Sequence, residues 1–278
     1  MRAAARPDVS VIISTYNSPS WLEFVLEGYF LQSFNGSFEI IVADDGSTAE
    51  TGRLIEALSR RSPVPLIHLW QPDQGFQKCR ILNKAIAKSA GELLLLTDGD
   101  CVPQPHMVKL HAERARFGSF LTGGYLKLPE SLSHLISLED IKQGRVFKPA
   151  WLVSNGLQPS ASLLKLMLVA PFDRLANRLT PTKRTWNGHN SSCYRADAIA
   201  VNGFNEQMQY GGEDVEFGWR LNFSGIRGRH LRFSTVPVHL FHRHSYVTPE
   251  MLDRSKELRA ETRRLRIKRA ELGLDQWL

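Results

Sequence analysis

Cysteine is scarce in this chain of 278 residues, which contains only Cys79, Cys101 and Cys193 and no Cys-x-x-Cys pair. An odd number without such a pair argues against a disulfide framework and a cysteine zinc cluster, and it indicates a reducing compartment. Long apolar runs are also missing. No window reaches the roughly 18 apolar residues of a transmembrane helix, and residues 1–7 lack the apolar core of a signal peptide. We therefore expect a cytoplasmic protein.

Acidic residues are outnumbered by basic ones, 28 to 35, which gives a formal net charge of +7 and a pI of about 9.4. Such a balance favours anionic partners, namely nucleotides, phosphates, acidic glycans or an anionic membrane surface. The hydrophobic content of 42% is enough for a full core, either in one large domain or in two closely merged ones. No internal repeat or low-complexity segment is evident.

Apolar runs alternate with helical patterns along the first hundred residues. Strands are predicted at residues 9–14, 38–43, 64–70 and 92–96, and helices at residues 19–29, 51–61 and 78–90. This alternation predicts an α/β fold with a mostly parallel sheet and helices on both faces. Farther along, residues 103–117 are interpreted as a helix and residues 119–128 as a strand. The apolar residues 162–169 are interpreted as a core or lid helix rather than a membrane contact, because their length fits a buried helix.

Carboxylates follow two of the predicted strands directly. Asp44 and Asp45 end the second strand, and the leucine-rich fourth strand ends in Asp98-Gly99-Asp100. In an open parallel sheet, ligands collect at the carboxyl ends of the strands. Two carboxylates so close together repel each other unless a cation lies beside them, and oxygen ligands suit Mg²⁺ or Mn²⁺. The alternative is an ordinary turn, in which Asp-Gly is a common pair.

The second half of the chain carries further candidates. Glu213 and Asp214 follow two glycines at a predicted helix start, where the helix dipole favours an ionised carboxylate that can act as a general base. Simple helix capping is the alternative for Asp214. A strand ending near residue 238 could direct one of His239, His242 and His244 toward a cation, although each could also be an ordinary core or surface histidine. No Cys or Glu completes a familiar zinc spacing.

The end of the chain, residues 248–278, is interpreted as a long basic helix. Its positive charges are Arg254, Lys256, Arg259, Arg263, Arg264, Arg266, Lys268 and Arg269. Such a charge run is usually a solvated helix face. Together with interspersed leucines, the excess charge in residues 254–272 also permits docking on an anionic bilayer.

Taken together, these segments resemble the family 2 inverting glycosyltransferases of the GT-A fold. The likeness spans residues 8–245, and its first motifs lie in order at residues 9–17, 44–47, 73–76, 83 and 98–100. The segment from residue 186 to 219, with Gly-Gly-Glu-Asp at 211–214, is similar to the C-terminal half of galactosyltransferase-like and chondroitin-polymerase-like enzymes. The sequence departs from the family at Leu82, where many relatives carry Arg, and we expect Arg80 to supply that charge.

The resemblance implies a nucleotide-sugar site in the first half of the chain. Asp45, or Asp44 beside it, would accept a hydrogen bond from the base N–H, which favours uracil, and Asp98 would face the ribose or the cation. Asp100 would bind Mn²⁺ or Mg²⁺ together with His239, with His242 as the second choice. The other implied nucleotide-sugar contacts are Thr15, Tyr16, Asn17, Gln74, Gly75, Arg80, Asn83 and Gly99.

The resemblance also implies an acceptor site in the second half. Asp214 would take the proton from an acceptor hydroxyl as its oxygen attacks the anomeric carbon, and this single displacement inverts the configuration. The implied acceptor or sugar contacts are Trp186, Asn190, Gly211, Gly212, Glu213 and Trp219. The implied function is metal-dependent transfer of a hexose or N-acetylhexosamine from a UDP-sugar to a glycan or glycolipid hydroxyl in a bacterial lipopolysaccharide, capsule or other surface polysaccharide.

Two other functions compete with this interpretation. A sugar-phosphate nucleotidylyltransferase would need a glycine-rich basic loop after the first strand, and residues 15–18 do not form one. A basic glycan- or nucleic-acid-binding module accounts for the charge but not for the carboxylates, and we expect no nucleic-acid partner. We expect a nucleotide-sugar-binding half (1–128), an acceptor-binding and catalytic half (129–247) and a basic C-terminal helix (248–278), which either is a solvated helix face or docks the cytoplasmic protein on the inner face of the plasma membrane.

Overall fold

The apolar runs of the first hundred residues form the centre of a sheet in the computed structural model, which describes residues 6–168, 170–242 and 247–278. Its strands are β1 (Val9–Thr15), β2 (Phe38–Asp44), β3 (Leu66–Trp70), β4 (Leu93–Asp98), β5 (Cys101–Val102), β6 (Ser119–Gly123), β7 (Leu126–Lys127), β8 (Ser191–Tyr194), β9 (Arg227–Leu231) and β10 (Val238–His239). Its helices are α1 (Pro19–Phe30), α2 (Ala49–Ser59), α3 (Lys78–Lys88), α4 (Met107–Arg114), α5 (Glu130–Leu135), α6 (Leu138–Lys142), α7 (Pro149–Ser154), α8 (Leu164–Met167), α9 (Phe172–Leu179), α10 (Arg195–Ala200), α11 (Glu213–Phe223) and α12 (Pro249–Leu265).

The main sheet has the strand order β3-β2-β1-β4-β8-β6-β9. Within it, β8 runs antiparallel to both of its neighbours and every other pairing is parallel. A small second sheet joins β5, β10 and β7. The predicted mostly parallel α/β sheet is therefore confirmed. The segment predicted as one strand at residues 119–128 is divided between the two sheets, since Gly123 and Gly124 break it.

The leucines of β4 point alternately to the two faces of the main sheet. Leu93 and Leu95 belong to one buried cluster, which includes residues of α1 and α2, whereas Leu94 and Leu96 belong to the other, which includes residues of α3. All four leucines are at most 5% exposed. Helices cover both faces of the sheet, and for this reason the strand has a continuous apolar run instead of an alternating pattern.

Residues 162–169 do not form the predicted core or lid helix. The α-helix here is only α8, and its Leu164 and Met167 side chains are 52% and 60% exposed, while Val169 lies outside the described residues. Leu163, in the 3₁₀ turn just before α8, is buried. The prediction of a buried helix was wrong because a single turn can direct only a few of its side chains inward. None of the helices in the described ranges combines the length and hydrophobicity needed to cross a membrane.

The C-terminal segment packs into the fold, and it is helical only as far as Leu265. Arg266 adopts a left-handed backbone conformation that ends α12, so the prediction of a helix continuing to residue 278 was wrong. Leu258 and Leu274 are buried in the same cluster as the inner face of α3. The indole N–H of Trp277 donates a hydrogen bond of 2.7 Å to Glu206. The segment is thus part of the core as well as a carrier of surface charge.

A buried ion pair connects α11 to this segment. The side chains of Glu216 and Arg220 are 1% and 0% exposed and lie 2.8 Å apart, and the hydroxyl of Thr262 on α12 donates a further hydrogen bond to Glu216. Removing one partner of such a pair leaves a buried charge uncompensated. The pair therefore fixes α11, which begins with Glu213 and Asp214, against the C-terminal helix.

We expect Arg220→Met to lower the free energy of unfolding by about 3–5 kcal/mol, because the Glu216 carboxylate would remain buried without its cation. Urea unfolding followed by circular dichroism measures this change. Arg227→Met is the matched control, since Arg227 is exposed at the start of β9 and its loss should change stability by less than about 0.5 kcal/mol. Equal denaturation midpoints for the two variants would contradict the expectation.

Candidate active site

A cleft of about 550 Å³ opens at the carboxyl ends of β1, β2 and β4. The register of the sheet places Thr15 beside Asp44 and Ser14 beside Asp98, so three strands end together at this edge. The second half of the chain closes the cleft from the other side. The cleft is lined by Ser14, Thr15, Tyr16, Asn17, Ser18, Asp45, Gly75, Phe76, Lys78, Ile81, Asp98, Gly99, Asp100, Gly188, His189, Tyr210, Gly211, Gly212, Glu213, Asp214, His239 and His242.

Lys78, the first residue of α3, pairs with a carboxylate in the cleft. Its ammonium lies 2.6 Å from Asp98, which also accepts a 2.7 Å hydrogen bond from the hydroxyl of Ser14. Burial opposes the ionisation of Asp98, but Lys78 and Ser14 outweigh it and lower the pKa of the carboxyl. Burial likewise opposes the charge on Lys78, but Asp98 and Glu213 outweigh it and raise the pKa of the amine. Both groups are therefore charged at neutral pH.

Asp45 lines the cleft directly after the end of β2. Its carboxylate accepts hydrogen bonds from the side-chain amide of Gln71 at 2.7 Å and from the backbone N–H of Gln77 at 2.8 Å. Burial raises the pKa of Asp45 to about 6, and these two donors only partly offset that effect. Next to it, Tyr16 donates a hydrogen bond of 2.9 Å to Asp73. This end of the cleft therefore presents a carboxylate beside an aromatic ring.

Two imidazoles flank the carboxylate of Asp100. Nε2 of His239 lies 3.4 Å from Oδ1, and Nε2 of His242 lies 3.1 Å from Oδ2. The thiol of Cys101 also donates to Oδ1, and burial raises the pKa of that thiol well above its usual value, so it stays protonated. Carboxylate and imidazole together are a donor set that suits Mn²⁺. The remaining histidine considered from the sequence, His244, lies outside the described residues.

Two ring nitrogens near Asp100 are buried without a hydrogen-bond partner among the described residues. They are Nδ1 of His239 and Nε2 of His189. The two rings stack in nearly parallel planes with their centroids 6.2 Å apart, and the ring of Tyr125 lies edge-on against His189. Burial lowers the pKa of His189 to about 4, so this imidazole is neutral at pH 7. The unpaired Nδ1 of His239 is not the ring nitrogen that faces Asp100, so the support for a cation here comes from Asp100, Cys101 and His239, whose potential ligand atoms lie within 4.8 Å of one another.

Asp214 and Glu213 open α11 at the other side of the cleft. Gly211 and Gly212, with φ of 122° and 92°, form a turn that residues with side chains rarely adopt, and α12 packs against it. Asp214 accepts hydrogen bonds from the backbone N–H of Val215 at 2.7 Å and of Gly188 at 3.2 Å. Burial raises the pKa of both carboxyls. A buried carboxylate with a raised pKa is suited to accepting a proton.

The cleft brings together carboxylates that are far apart in the sequence. A Cβ placed on Gly188 would stand 3.7 Å from Nζ of Lys78 and 3.8 Å from Cβ of Asp214. Lys78 in turn contacts Asp98, the residue two positions before Asp100. One amine thus links the carboxyl end of β4 to the start of α11.

Several residues implied by the resemblance do not line the cleft, because their side chains make other contacts. Asp44 accepts a hydrogen bond from the backbone N–H of Ser47 and lies 2.9 Å from His68. Two other implied residues, Asn83 and Asn190, have fully buried side chains. Asn83 forms hydrogen bonds with the backbone of Phe204. Asn190 donates to the backbone carbonyls of Gly124 and Thr235. These three residues hold loops in place behind the cleft.

Four further implied contacts, Trp186, Trp219, Arg80 and Gln74, also lie outside the cleft lining. Trp186 is a core residue, packed edge-on against Phe217, and Trp219 faces Arg263 of α12. The guanidinium of Arg80 lies over the ring of Trp277, so this residue does not supply the charge that Leu82 lacks. Gln74 is exposed in the loop between β3 and α3, outside the cleft lining.

Lys78 and His189 are cleft residues that sequence reasoning missed. Lys78 carries a usable signal, since it follows a glycine-containing loop at the start of a helix, a position that faces the strand ends in an α/β fold. His189 carries no such signal, because it is a single histidine in a polar segment without a ligand spacing. Its place depends on the antiparallel insertion of β8 beside β4.

Two regions of the chain match models of known families. Residues 10–125 match the model described as glycosyl transferase family 2, and residues 178–244 match the model described as the N-terminal domain of galactosyltransferase. The first region contains Asp45, Asp98 and Asp100, and the second contains Asp214 and His239. The two matches therefore cover both sides of the cleft.

Known proteins show the same likeness. The O-antigen biosynthesis protein RfbC of Myxococcus xanthus is 28% identical over 229 residues, which are 80% of this chain but only 16% of RfbC, so the chain spans a small part of that relative. The structure of S. aureus TarS 1–349 in complex with UDP-GlcNAc superposes with a TM-score of 0.60 at 18% identity, over 97% of this chain and 69% of that one. For the mannosyltransferase PcManGT from Pyrobaculum calidifontis in complex with GDP-Man and Mn²⁺, the TM-score is 0.58 at 20% identity, over 87% and 59%.

At these identities the structural likeness shows the fold, which is the GT-A fold of glycosyltransferases. The two sequence matches agree with this fold, since they cover the strands that build the cleft and the helix that closes it. The chain is therefore similar to glycosyl transferase family 2 over residues 10–125 and to the N-terminal domain of galactosyltransferase over residues 178–244.

Proposed function

We propose that the chain is a metal-dependent, inverting glycosyltransferase that moves a hexose or N-acetylhexosamine from a UDP-sugar to a hydroxyl of a bacterial surface glycan. The observation that carries this proposal is the single cleft onto which Asp45, Asp100 and Asp214 all open. The names of similar proteins support it: TarS was solved with UDP-GlcNAc, PcManGT with GDP-Man and Mn²⁺, and RfbC takes part in O-antigen biosynthesis.

In this proposal the first half of the chain, residues 1–128, holds the nucleotide. Asp45 accepts a hydrogen bond from the base N–H, which selects uracil, and the Tyr16 ring lies beside the base. Asn17 shapes this end of the cleft, because its backbone N–H donates to Ser47 and its side-chain oxygen accepts from the N–H of Thr48. These two hydrogen bonds join the loops that follow β1 and β2.

Asp100 and His239 would hold Mn²⁺ or Mg²⁺, and His242 is placed to join them. The carboxylate of Asp100 and the imidazole of His239 fit such an ion, since their potential ligand atoms lie within 4.8 Å of each other. When bound, the cation supplies Lewis-acid stabilisation of the diphosphate leaving group. The Cys101 thiol donates a hydrogen bond to Asp100, and Asp100, Cys101 and His239 together form a group of potential ligands whose donor atoms lie within 4.8 Å of one another. Lys78 neutralises Asp98 beneath the site and keeps that carboxylate from repelling the diphosphate.

The second half, residues 129–247, supplies the base. An acceptor hydroxyl gives its proton to the carboxylate of Asp214 while its oxygen forms a bond to the anomeric carbon. The bond from that carbon to the diphosphate oxygen breaks with its electron pair, and UDP leaves on the opposite face. One displacement of this kind inverts the configuration. The backbone donors Gly188 and Val215 orient the carboxylate, and Gly211 and Gly212 let α12 pack closely against the turn before it.

Calorimetric titration with UDP tests the proposal. We expect UDP to bind in the presence of Mn²⁺ and to bind much more weakly in EDTA, because the diphosphate and the carboxylates repel each other without a cation between them. A screen of UDP-sugars for slow hydrolysis without acceptor then identifies the donor. Metal-independent binding of RNA or of a glycan, with no binding of UDP, would contradict the proposal and favour a binding module.

Uridine affinity should fall about tenfold between pH 7 and pH 5. With a pKa of about 6, Asp45 is mostly ionised at pH 7 and mostly protonated at pH 5, where it no longer accepts the base N–H. Charged groups around it are Asp44, Asp73 and Lys84. Uridine is the probe because it has no phosphate to titrate, and NMR titration measures its affinity. Asp45→Asn should bind weakly at both pH values, and a tenfold fall in that variant would assign the effect to another group.

A further inference from the structure

Helix α9 turns its apolar side chains away from the protein. Phe172, Leu175 and Leu179 recur at helical spacing and so share one face of the helix, and they are 62%, 53% and 68% exposed. Exposed large apolar groups are unremarkable when scattered singly, but three of them on one helix face mark an interaction site. The usual arrangement, with the apolar face packed on the core, is reversed in this helix.

The opposite face of α9 attaches the helix to the body of the protein through polar contacts. Asp173 is buried, accepts a hydrogen bond from the hydroxyl of Ser234 and lies 2.8 Å from the guanidinium of Arg114. Asn177 donates a 2.7 Å hydrogen bond to Ser234 and accepts one of 2.9 Å from the backbone N–H of Phe233. Because these contacts fix the helix, the outward apolar face is not needed for folding.

The neighbouring helix α8 adds two more exposed apolar side chains, Leu164 and Met167. We call this set the apolar patch, and its members are Leu164, Met167, Phe172, Leu175 and Leu179. Five large apolar residues exposed within a short segment of a basic protein are typical of a surface that enters the headgroup and acyl boundary of a bilayer.

Arginines lie beside the apolar patch. A groove of about 570 Å³ is lined on one side by Arg174, Asn177 and Arg178 of α9, and its other lining residues are Glu113, Arg114, Arg116, Arg184, Arg229, His230 and Leu231. Six of these ten residues are arginines and one is acidic. On α9 itself, Arg174 and Arg178 fall between the inward polar face and the outward apolar face. Guanidinium groups in this position match the phosphates of anionic lipid headgroups.

We propose that α8 and α9 dock the protein on an anionic lipid bilayer, with the apolar patch in the headgroup–acyl boundary and the arginine groove on headgroup phosphates. A second copy of the chain fits this surface less well, because a symmetric contact would bring two arginine grooves together.

The docking surface is joined to the cleft. The ammonium of Lys165 on α8 donates a 3.1 Å hydrogen bond to the carbonyl of Tyr125, whose ring contacts His189. A lipid-linked acceptor would therefore lie within reach of the cleft, a consequence that rests on the proposed function, whereas the docking itself does not.

Vesicle co-sedimentation of the full chain tests the docking. We expect wild type to bind vesicles of equal parts phosphatidylcholine and phosphatidylglycerol and to bind phosphatidylcholine alone weakly. The double variant Leu175→Ser/Leu179→Ser should bind the mixed vesicles at least about tenfold more weakly. Inserting even half of the surface of two leucine side chains into the bilayer contributes at least that factor to the affinity. Arg174→Gln/Arg178→Gln should lose about tenfold and most of its salt dependence. Leu135→Ser, at an exposed leucine of α5, is the matched control and should bind as wild type does.

Thermal unfolding of each variant shows that it is folded, and the inward contacts of α9 are left intact in all of them. Wild-type binding by the leucine double variant would overturn the proposal. A loss of vesicle binding confined to Arg263→Gln/Arg264→Gln would also overturn it, because it would assign the contact to α12. Dimerisation through the apolar patch in size-exclusion chromatography, without vesicle binding, would overturn it as well. Vesicle binding that depends on Leu175 and Leu179 in a protein that fails to bind UDP would uphold the docking while the proposed transferase function fails.

Discussion

Asp214→Asn should lower the rate of glycosyl transfer by about a thousandfold, within the range that a general base contributes. The amide has the size of the carboxylate but takes up no proton at neutral pH, so the acceptor hydroxyl would attack without deprotonation. UDP affinity should stay within a few-fold of wild type, because the base acts after the donor has bound. Single-turnover transfer from the donor identified by hydrolysis, together with calorimetry of UDP, measures the two quantities separately.

The control for this variant is Asp253→Asn, which removes an exposed carboxylate of α12 that does not line the cleft. It should transfer as wild type does. If Asp214→Asn retains wild-type transfer, Asp214 is not the base, and Glu213, whose pKa burial also raises, becomes the group to replace. If instead both transfer and UDP binding are lost, the variant has disturbed the loop at Gly211 and Gly212, and unfolding measurements would show it.

The centre of the fold could be predicted because local sequence and global structure agree there. Strand β4 has leucines on both faces because helices cover both faces of the sheet. A short run of consecutive leucines has few other stable arrangements. The carboxylates at Asp45, Asp98 and Asp100 could also be predicted as neighbours, because parallel strands that end together must bring the residues after them to one edge. Both inferences rest on the period and direction of strands, which sequence patterns express directly.

The interior positions of the site could not be predicted in this way. Asn190 and Asn83 look like ligand-binding amides in the sequence, yet each satisfies buried backbone groups behind the cleft. Whether a polar side chain faces a ligand or a backbone carbonyl depends on contacts between residues far apart in the chain, such as Asn83 with Phe204. Trp186 shows the same limit for aromatic residues, because a tryptophan that packs in the core cannot be told from one that stacks on a sugar by the sequence around it.

Surface patterns were misleading for a related reason. Residues 162–169 have the composition of a core helix, but the α-helix here is a single turn that buries Leu163 just before it and leaves Leu164 and Met167 exposed. The C-terminal segment shows the opposite error. Its charges suggest a solvated helix, whereas Leu258 and Leu274 anchor it in the core and α12 supports the turn before Asp214. Composition identifies an amphipathic element but not which of its faces the rest of the protein will cover.

Asp100→Ala should weaken UDP binding in the presence of Mn²⁺ by at least about a hundredfold. Loss of residues that merely orient a metal ligand typically lowers metal affinity by about 10–100-fold, and loss of a ligand itself should have a larger effect. In EDTA the variant should bind UDP no more weakly than wild type, because Asp100 supports binding only through the cation and its carboxylate otherwise repels the diphosphate. Calorimetry measures UDP binding by wild type and by the variant, each with Mn²⁺ and with EDTA. The difference between the two conditions gives the metal-dependent part of binding for each protein.

Comparing His239→Gln with His242→Gln shows which imidazole is the stronger ligand. The substitution that weakens Mn²⁺-dependent UDP binding more removes that ligand. His68→Gln is the matched control, since it also removes an imidazole paired with an aspartate, at 2.9 Å from Asp44, but outside the cleft lining. It should leave the Mn²⁺ dependence unchanged. Unaltered Mn²⁺ dependence in Asp100→Ala would exclude Asp100 as a ligand and would separate the carboxyl end of β4 from the metal chemistry proposed for this cleft.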